Sequence, residues 1–289
     1  MFQHRLPATF RQVAEQYYLP LARQLPAIRG TRKQLLLGIN GAQGTGKSTL
    51  ADFLCVATKS MFNWHVAVLS IDDFYYTLEQ RRALSRDVHP LLLTRGAPGT
   101  HDTDLLCDYL ERLRQLDACE CVALPRFDKA TDDRADETRW PSVGGPVDLI
   151  ILEGWCVGTT GLADLELRQP LNELERNEDS DGTWRHYVNE RLQANYQQIF
   201  AKLDFLVFIQ APDFDSILRW RVEQEEKLAT VSPQGSSGLM NREQLERFLQ
   251  FYERLTRANL KILPSKADVV FSLDEAHVIA SQAQKDDRH

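Results

Sequence analysis

The sequence has no long apolar run and no apolar leader at its start. No window of the 289 residues approaches 18 uninterrupted apolar residues, roughly the length that a membrane-spanning helix needs. The first residues, Met1-Phe-Gln-His-Arg, lack the apolar core of a secretory signal. From these two absences we expect no membrane partner and a cytoplasmic location.

Cysteine is scarce and its spacing is uninformative. The chain has five cysteines, and an odd number suits a reducing compartment better than a disulfide scaffold. Cys119 and Cys121 are one residue apart, which is too close for the usual zinc pair, and no second pair completes a site. We therefore expect ordinary thiols.

Long basic runs are also absent. The formal net charge is -7, and without a Lys/Arg run there is no electrostatic footprint for nucleic acid. We therefore predict no nucleic-acid partner, while a local basic pocket for a small anion stays open. Hydrophobic residues make up 43% and charged residues 26% of the chain, an ordinary globular balance with enough apolar material for a sizeable core.

Short apolar segments alternate with helical ones along the chain. Five segments predict buried strands: 34–40, 65–71, 147–152, 205–209 and 267–272. Continuous apolar strands between helices indicate a parallel sheet covered on both faces. We predict one α/β domain over 1–289 with a mostly parallel five-stranded sheet, an N-terminal helical extension over 1–33, and lid and C-terminal helices over 215–262.

A glycine-rich turn follows the first predicted strand. The segment Gly41-Ala-Gln-Gly-Thr-Gly-Lys47-Ser48 fits G-x-x-x-x-G-K-[ST] without a mismatch, between a predicted strand and a predicted helix. Its backbone N–H groups would surround phosphate oxygens, Lys47 would reach the β and γ phosphates, and Ser48 would bind Mg²⁺. We predict a P-loop NTPase fold, with ATP and Mg²⁺ as cofactors. The predicted nucleotide-binding residues are Gly41, Ala42, Gln43, Gly44, Thr45, Gly46, Lys47, Ser48 and Thr49.

Two further strands end in acidic residues. Asp72 and Asp73 follow the second strand, and Glu153 ends the third. In a parallel sheet these ends lie on the phosphate-loop side, where a carboxylate can bind Mg²⁺ or take a proton from an attacking hydroxyl. The alternatives are that an aspartate caps the following turn and that Glu153 pairs with Lys47 or a backbone amide.

With these residues the chain resembles the phosphoribulokinase/uridine kinase class of P-loop kinases, and more narrowly the D-glycerate 3-kinase type. The resemblance covers about 35–270, and Ser-Ile-Asp-Asp-Phe-Tyr, Arg-Gly-x-x-Gly-x-His-Asp and Pro-Arg-Phe-Asp-Lys are its most specific motifs. The matching segments are 41–49, 69–75, 95–102, 124–129, 133–136, 140–141, 152–155, 188–196 and 220–221. The stretch 159–185 departs from the plant enzymes by being longer and more acidic, and it could reshape the entrance to the site.

The resemblance implies a role for individual residues. It makes Asp72 the base toward the substrate hydroxyl, places Glu153 near Mg²⁺ with Ser48 and Asp72 as further metal ligands, and makes Arg221 a lid arginine that acts with Lys47 in catalysis. The glycine–serine stretch at 235–238 could let that lid move. The residues on the substrate side are Arg95, His101, Asp102, Arg126, Asp128, Lys129 and Arg134.

Several of these residues have structural alternatives. His101 could cap the helix that starts near Asp102, and Lys129 and Arg134 could be solvated loop charges. The tryptophans at 140, 155 and 220 favour packing over an adenine platform.

The expected function is an ATP-dependent kinase that converts D-glycerate to 3-phosphoglycerate. The arginines at 95, 126 and 134 favour an anionic hydroxy acid as the small-molecule substrate. One alternative is a kinase of the same build acting on a sugar, a nucleoside or a pantothenate-like acid. The other is a nucleotide-binding regulator without an acceptor, although the sequence has no Asn-Lys-x-Asp guanine motif.

Overall fold

A computed structural model describes residues 10–231 and 240–285, with side chains described except over 226–231. The glycine–serine stretch at 235–238 and the first nine residues of the predicted N-terminal extension lie outside the described residues. Within the described part, no helix combines the length and the apolar character needed to cross a bilayer.

A six-stranded sheet forms the centre of the fold, in the order β10-β9-β8-β1-β7-β2. β1, β7, β2, β8 and β9 pair in parallel, and β10 pairs antiparallel with β9 at one edge. Two small antiparallel strand pairs, β3–β6 and the hairpin β4–β5, lie outside this sheet. The strands are β1 (Leu35–Gly41), β2 (Val66–Ser70), β3 (Cys121–Ala123), β4 (Phe127–Asp128), β5 (Asp133–Arg134), β6 (Ser142–Gly144), β7 (Leu149–Gly154), β8 (Phe205–Gln210), β9 (Val269–Leu273) and β10 (Ile279–Gln284).

The five predicted strands and the mostly parallel sheet are confirmed. Every residue of β1 and of β7 is buried, as expected for central parallel strands covered on both faces. The sixth strand was not predicted, because Ile279–Gln284 has a polar outer face typical of an edge strand and gives a weak apolar signal.

Helices cover both faces of the sheet. Successive residues of β1 point to opposite faces, so Leu35 and Leu37 join one apolar cluster while Leu36 joins the other. The helices are α1 (Phe10–Val13), α2 (Leu19–Arg29), α3 (Lys47–Phe62), α4 (Leu78–Asp87), α5 (Thr103–Gln115), α6 (Asp164–Leu167), α7 (Glu173–Glu178), α8 (Thr183–Arg191), α9 (Gln197–Phe200), α10 (Phe214–Val231) and α11 (Arg242–Lys266). Two π-helical turns, Ala14–Tyr18 and Leu192–Tyr196, connect α1 to α2 and α8 to α9.

The region predicted as lid and C-terminal helices contains α10 and α11. α11 buries one face against the core through residues such as Leu245 and Leu249. The stretch 159–185 packs on α11, where Arg254 forms an ion pair with Glu175 at 2.5 Å. It contributes no lining residue to the cavity described below. The lid role and the domain limits stay predictions.

Candidate active site

The phosphate loop joins β1 to α3 and its shape depends on glycine. Gly44 and Gly46 have φ of 82° and 94°, a left-handed region that disfavours other residues. A Cβ on Gly41 would lie 2.5 Å from Thr45 Oγ1, and that hydroxyl donates to the carbonyl of Ala42 at 2.9 Å. The loop therefore closes on itself and delivers Lys47 to the first turn of α3.

The Lys47 ammonium lies inside this loop. Its Nζ donates to the carbonyl oxygen of Ala42 at 3.0 Å. Burial lowers the pKa of Lys47, while the nearby carboxylates of Glu153 and Asp72 act in the opposite direction. The cation is thus attracted by two acids that come from neighbouring strand ends.

The carboxyl end of β7 places Glu153 beside the phosphate loop. Ser48 donates from Oγ to Glu153 Oε1 at 2.8 Å, and Glu153 is buried. A hydroxyl and a carboxylate are hard oxygen donors of the kind that Mg²⁺ prefers. The residues present therefore fit a magnesium ion. Among the described residues, the Glu153 carboxylate accepts from the Ser48 hydroxyl rather than from a backbone amide.

Asp72 follows β2 and is held from two sides. Tyr75 donates its hydroxyl proton to Asp72 Oδ1 at 2.9 Å, and Lys129 donates from Nζ to Oδ2 at 2.8 Å. Burial alone would raise the pKa of Asp72, but the charge and hydrogen bond of Lys129, with smaller help from His101 and Tyr75, lower it overall. Asp72 is thus an ionised carboxylate at the phosphate-loop edge of the sheet.

The neighbouring Asp73 is bound to the segment that begins β4. Its Oδ1 accepts from the backbone N–H of Phe127 and its Oδ2 from Arg126, both at 3.1 Å. Burial raises the pKa of Asp73 to about 6, although Arg126 and the Phe127 amide counteract it. Asp73 therefore fastens the β4–β5 hairpin to the end of β2.

These groups open into one cavity of about 640 Å³. Besides Lys129, eight of the predicted residues line it: Gln43, Gly44, Lys47, Ser48, Asp72, Arg95, Glu153 and Arg221. Lys129 lines it as well, so the structure brings cations of the substrate-side motifs opposite the phosphate loop. This cavity is the candidate active site.

The substrate-side cations are each paired with an acid of the protein. Arg95 forms an ion pair with Asp132 and lies 5.5 Å from the centre of the Phe127 ring. Asp132 forms a second ion pair with Arg81, in which Asp132 Oδ2 lies 3.0 Å from Arg81 Nη2. The Arg81 side chain is fully buried. The loop that carries Asp132 is thereby fixed from inside the protein.

The remaining predicted charges lie beside the cavity but are not among its lining residues. Arg134 donates to Asp102 Oδ2 at 3.3 Å, and Asp128 accepts from Arg139 at 2.8 Å. Arg126 is committed to Asp73, as described above. Lys129 pairs with Asp72 although its side chain is 60% exposed, and the less exposed Arg134 pairs with Asp102. The substrate roles of all these residues stay predictions.

His101 and Asp102 connect the site to α5. Asp102 is the N-cap of α5, and its Oδ1 accepts from the backbone N–H of Leu105 at 3.0 Å. His101 does not cap the helix. Its Nδ1 lies 2.7 Å from the hydroxyl of Tyr196, and its ring stacks on Tyr75 with centroids 4.4 Å apart.

Arg221 reaches the cavity from α10. Its two terminal nitrogens donate to Gln224 Oε1 at 2.7 Å and to Glu225 Oε1 at 2.8 Å. Its Nε is buried and has no hydrogen-bond partner in the described part of the chain. A methyl group on Gly44 would lie 3.7 Å from Arg221 Cδ, so this arginine lies over the phosphate loop.

The aromatic wall of the cavity is a feature that the sequence did not predict. Trp155, Phe248 and Tyr252 line it. The Trp155 indole also donates to the carbonyl of Gly96 at 3.1 Å and packs edge-on against Tyr252 at 4.8 Å, so its predicted packing role is only part of what it does. Periodicity along α11 could reveal that Phe248 and Tyr252 share a helix face, but not that this face borders the phosphate loop.

Known proteins with similar sequences are kinases. A kinase designated mug58 from Schizosaccharomyces pombe, itself described as uncharacterized, is 34% identical over 213 residues, which cover 71% of this chain and 75% of the relative. The chloroplastic D-glycerate 3-kinase of Arabidopsis thaliana is 32% identical over 249 residues, which cover 81% of this chain and 50% of that protein. The chain thus spans half the length of the plant enzyme. No protein-family model matches the chain.

A solved structure agrees with these sequence relatives. The D-glycerate 3-kinase from Cryptococcus neoformans superposes with a TM-score of 0.75 at 25% identity and covers 96% of this chain and 100% of its own. Shared sequence over most of the chain and a shared fold therefore point to the same group of proteins.

Proposed function

We propose, since the chain belongs to the family of P-loop kinases that includes D-glycerate 3-kinase, that it transfers the γ-phosphoryl group of ATP to a hydroxyl of a small anionic hydroxy acid. The specific acceptor that we propose is D-glycerate, with 3-phosphoglycerate as the product. One observation carries the proposal. The phosphate-loop residues Lys47 and Ser48 line the same cavity as the cations Arg95 and Lys129.

The nucleotide side supplies positioning and positive charge. Phosphoryl transfer depends on these two factors more than on covalent chemistry. The phosphate-loop amides and the start of α3 would hold the β and γ phosphates, and Lys47 would neutralise charge on the γ-phosphoryl group. The predicted use of ATP belongs to this proposal.

Ser48, Asp72 and Glu153 would hold Mg²⁺, because their oxygens suit that ion and all three side chains line the cavity. When bound, the ion neutralises phosphate charge and orients the transferred group. The carboxylates of Asp72 and Glu153 line the same cavity as the phosphate loop, so they would serve the nucleotide and the acceptor together.

Asp72 is the proposed general base. Its carboxylate would accept the proton of the acceptor hydroxyl as that oxygen forms its bond to the γ-phosphorus and the bond to the ADP oxygen breaks. The hydrogen bond from Tyr75 fixes the orientation of the carboxylate. Lys129 holds the other oxygen, and a carboxylate on the acceptor is the natural competitor for that ammonium group.

The cavity offers the acceptor anion two cations, Lys129 and Arg95. Arg95 offers the planar guanidinium that suits a carboxylate, and it is partly exposed to the cavity. Arg221 lies over Gly44 and would neutralise charge that develops on the transferred phosphoryl group. A nucleoside acceptor would lack the charge that these groups recognise.

A coupled assay of ADP release tests the proposal. The pure chain would be given Mg·ATP with D-glycerate, L-glycerate, other hydroxy acids, sugars and nucleosides in parallel. We expect turnover with D-glycerate and silence with L-glycerate. Turnover with a sugar or nucleoside instead would keep the kinase and reject the anionic acceptor, and nucleotide binding without any acceptor-dependent turnover would favour a regulator. The cytoplasmic location stays a prediction.

A further inference from the structure

The aromatic wall of the candidate active site carries one hydroxyl group, that of Tyr252. This tyrosine belongs to α11 and lines the cavity together with Trp155 and Phe248. Only 4% of the residue is exposed. A tyrosine in such a place offers an apolar ring for packing and a hydroxyl that can donate and accept a hydrogen bond.

Packing contacts fix the position of the Tyr252 ring. It meets Trp155 edge-on with ring centroids 4.8 Å apart, and it meets Phe248 at 4.9 Å. Its hydroxyl lies so close to Gly96 that a Cβ at that position would collide with it. Gly96 directly follows Arg95. The contacts therefore hold the hydroxyl beside the segment that supplies Arg95 to the cavity.

The Tyr252 hydroxyl is free to bind a ligand. It makes no hydrogen bond to any of the described residues, yet it is not one of their polar atoms that are sealed from solvent without a partner. Since the residue is otherwise buried and lines the cavity, solvent reaches this oxygen through the cavity. Polar groups in such positions are normally satisfied by water or by a ligand.

The hydroxyl is within electrostatic reach of two groups that have proposed acceptor roles. Burial raises the pKa of Tyr252 above its ordinary value, the charge of Asp72 adds to this rise, and the charge of Arg95 opposes it. The phenol is therefore protonated at neutral pH and can donate. Asp72 is the proposed base for the reacting hydroxyl and Arg95 the proposed partner of the carboxylate, so the phenol can reach an acceptor held by both.

The neighbouring hydrogen-bonding side chains of the cavity are already paired. Lys129 and Tyr75 both donate to the carboxylate of Asp72, and Trp155 donates its indole N–H to a backbone carbonyl. The Tyr252 hydroxyl has no such commitment within the described part of the chain. It is therefore the group best placed to receive a further hydroxyl of the acceptor.

A three-carbon hydroxy acid presents such a further hydroxyl. Its terminal hydroxyl would face Asp72 and its carboxylate would face Arg95, which leaves the hydroxyl of the middle carbon. Contacts with the two ends alone cannot distinguish the two configurations of that carbon, because exchanging its hydroxyl and its hydrogen leaves both ends in place. A contact with the middle hydroxyl is needed to select one configuration.

We propose that the Tyr252 hydroxyl binds the acceptor hydroxyl that is not phosphorylated and thereby selects the configuration of the carbon that carries it. This contact rests on the proposed function and deepens it by naming the residue that recognises the middle of the acceptor. A site built to pair with a substrate hydroxyl rejects the analogue that lacks it, because a buried polar group is then left without a partner.

Tyr252→Phe tests this contact, since it removes the hydroxyl and keeps the ring. Initial rates are measured at saturating Mg·ATP with D-glycerate and with 3-hydroxypropanoate, the same acid without the middle hydroxyl. We expect the variant to raise the KM for D-glycerate about 10-fold, the scale of one hydrogen bond, and to leave the KM for 3-hydroxypropanoate unchanged. The preference for D-glycerate over L-glycerate should narrow by a similar factor.

Tyr109→Phe is the matched control. Tyr109 is also a buried tyrosine of the apolar cluster that contains Tyr252, but it does not line the cavity. The loss of its hydroxyl should leave both KM values unchanged. Thermal unfolding of the two variants checks that each keeps the packing of the wild type.

Two results with Tyr252→Phe would overturn the proposal. One is an equal rise in KM for D-glycerate and 3-hydroxypropanoate, which would show a general effect on the cavity. The other is no change in either KM. In both cases a wild type that phosphorylates D-glycerate would leave the proposed function in place and reject only the Tyr252 contact. A wild type that phosphorylates neither acid would reject the proposed acceptor and this contact with it.

Discussion

The nucleotide side and the acceptor side of the cavity are built by different means. On the nucleotide side, the phosphate loop leaves β1, a strand of seven buried residues, and enters the 16-residue helix α3. On the acceptor side, β4 and β5 contain two residues each, and their charged side chains are held by ion pairs. Backbone geometry therefore determines the shape of the nucleotide side, and ion pairs between side chains determine the shape of the acceptor side.

The difference has a physical consequence. Glycine conformations and helix termini do not depend on a partner, so the phosphate loop keeps its shape without a ligand. The ion pairs of the acceptor side compete with any anion that enters, and partly exposed pairs contribute little stability individually. We infer that the nucleotide side is preformed and that the acceptor side exchanges partners on binding.

The largest expected effect is on the nucleotide side. Lys47→Ala should weaken ATP binding and lower turnover about 1,000-fold, because it removes a half-buried cation from the transferred phosphoryl group. Turnover and ATP affinity are measured with Lys59→Ala as a matched control, since Lys59 is an exposed lysine of the same helix. If both properties survive in Lys47→Ala, the phosphate-loop assignment is wrong.

Asp72 tests the boundary between the two sides. Asp72→Asn should lower kcat at least about 100-fold, the scale of a general base, with little change in ATP affinity. Asp73→Asn changes the adjacent carboxylate, which is committed to the β4–β5 hairpin, and should act mainly on the acceptor KM. An equal loss of kcat in both variants would contradict the assignment of Asp72 as the general base.

His101 lies on the acceptor side but is as buried as the residues of the apolar core. We expect it to influence the free energy of unfolding rather than catalysis. Its pKa falls from 6.5 to about 4 on burial, so the unfolded chain binds more protons in this window and stability falls as pH falls through it. Between about pH 7 and about pH 5 the loss attributable to His101 is about 2 kcal/mol. The full loss of stability is reached only near pH 4, the pKa of His101 in the folded chain.

Urea unfolding at the two pH values measures this loss. In His101→Gln the pH-dependent component should disappear, while His65→Gln, which removes an exposed imidazole, should retain it. Identical pH dependence in wild type and His101→Gln would mean that the ring is not buried in its neutral form.

The smallest expected effect belongs to Lys129. Lys129→Gln should raise the KM for an anionic acceptor about 10-fold, the worth of one charge-assisted hydrogen bond, and leave ATP affinity unchanged. Uncharged glycerol serves as the comparison acceptor, since it gains nothing from the ammonium group. Lys261→Gln, an exposed lysine of α11 outside the cavity, should change neither KM. A rise in KM for both acceptors would assign Lys129 a structural role.

The two sides also differ in how far the sequence predicts them. The phosphate loop has a fixed spacing because backbone geometry dictates it, so the positions of Lys47 and Ser48 follow from the motif alone. The acid at the end of an apolar strand identifies Glu153 for a similar reason. The sheet follows from its apolar strands, except for β10, whose polar edge gives no such pattern.

The acceptor side can be reached only through resemblance. Arg126 and Arg95 look equivalent in the sequence, yet Arg126 is committed to Asp73 whereas Arg95 lines the cavity. Which cation pairs with which acid is decided by contacts between residues far apart in the chain. Trp155 and Tyr252 meet in the same way, so the aromatic wall has no local signal.

Phosphorus NMR of a single reaction mixture tests the central claim most directly. The chain is incubated with Mg·ATP and D-glycerate, and the fate of the γ-phosphoryl group is followed. We predict a phosphomonoester signal that grows in step with ADP and is lost in Asp72→Asn. Growth of inorganic phosphate instead, with no phosphomonoester for any acidic acceptor, would contradict the proposed transfer.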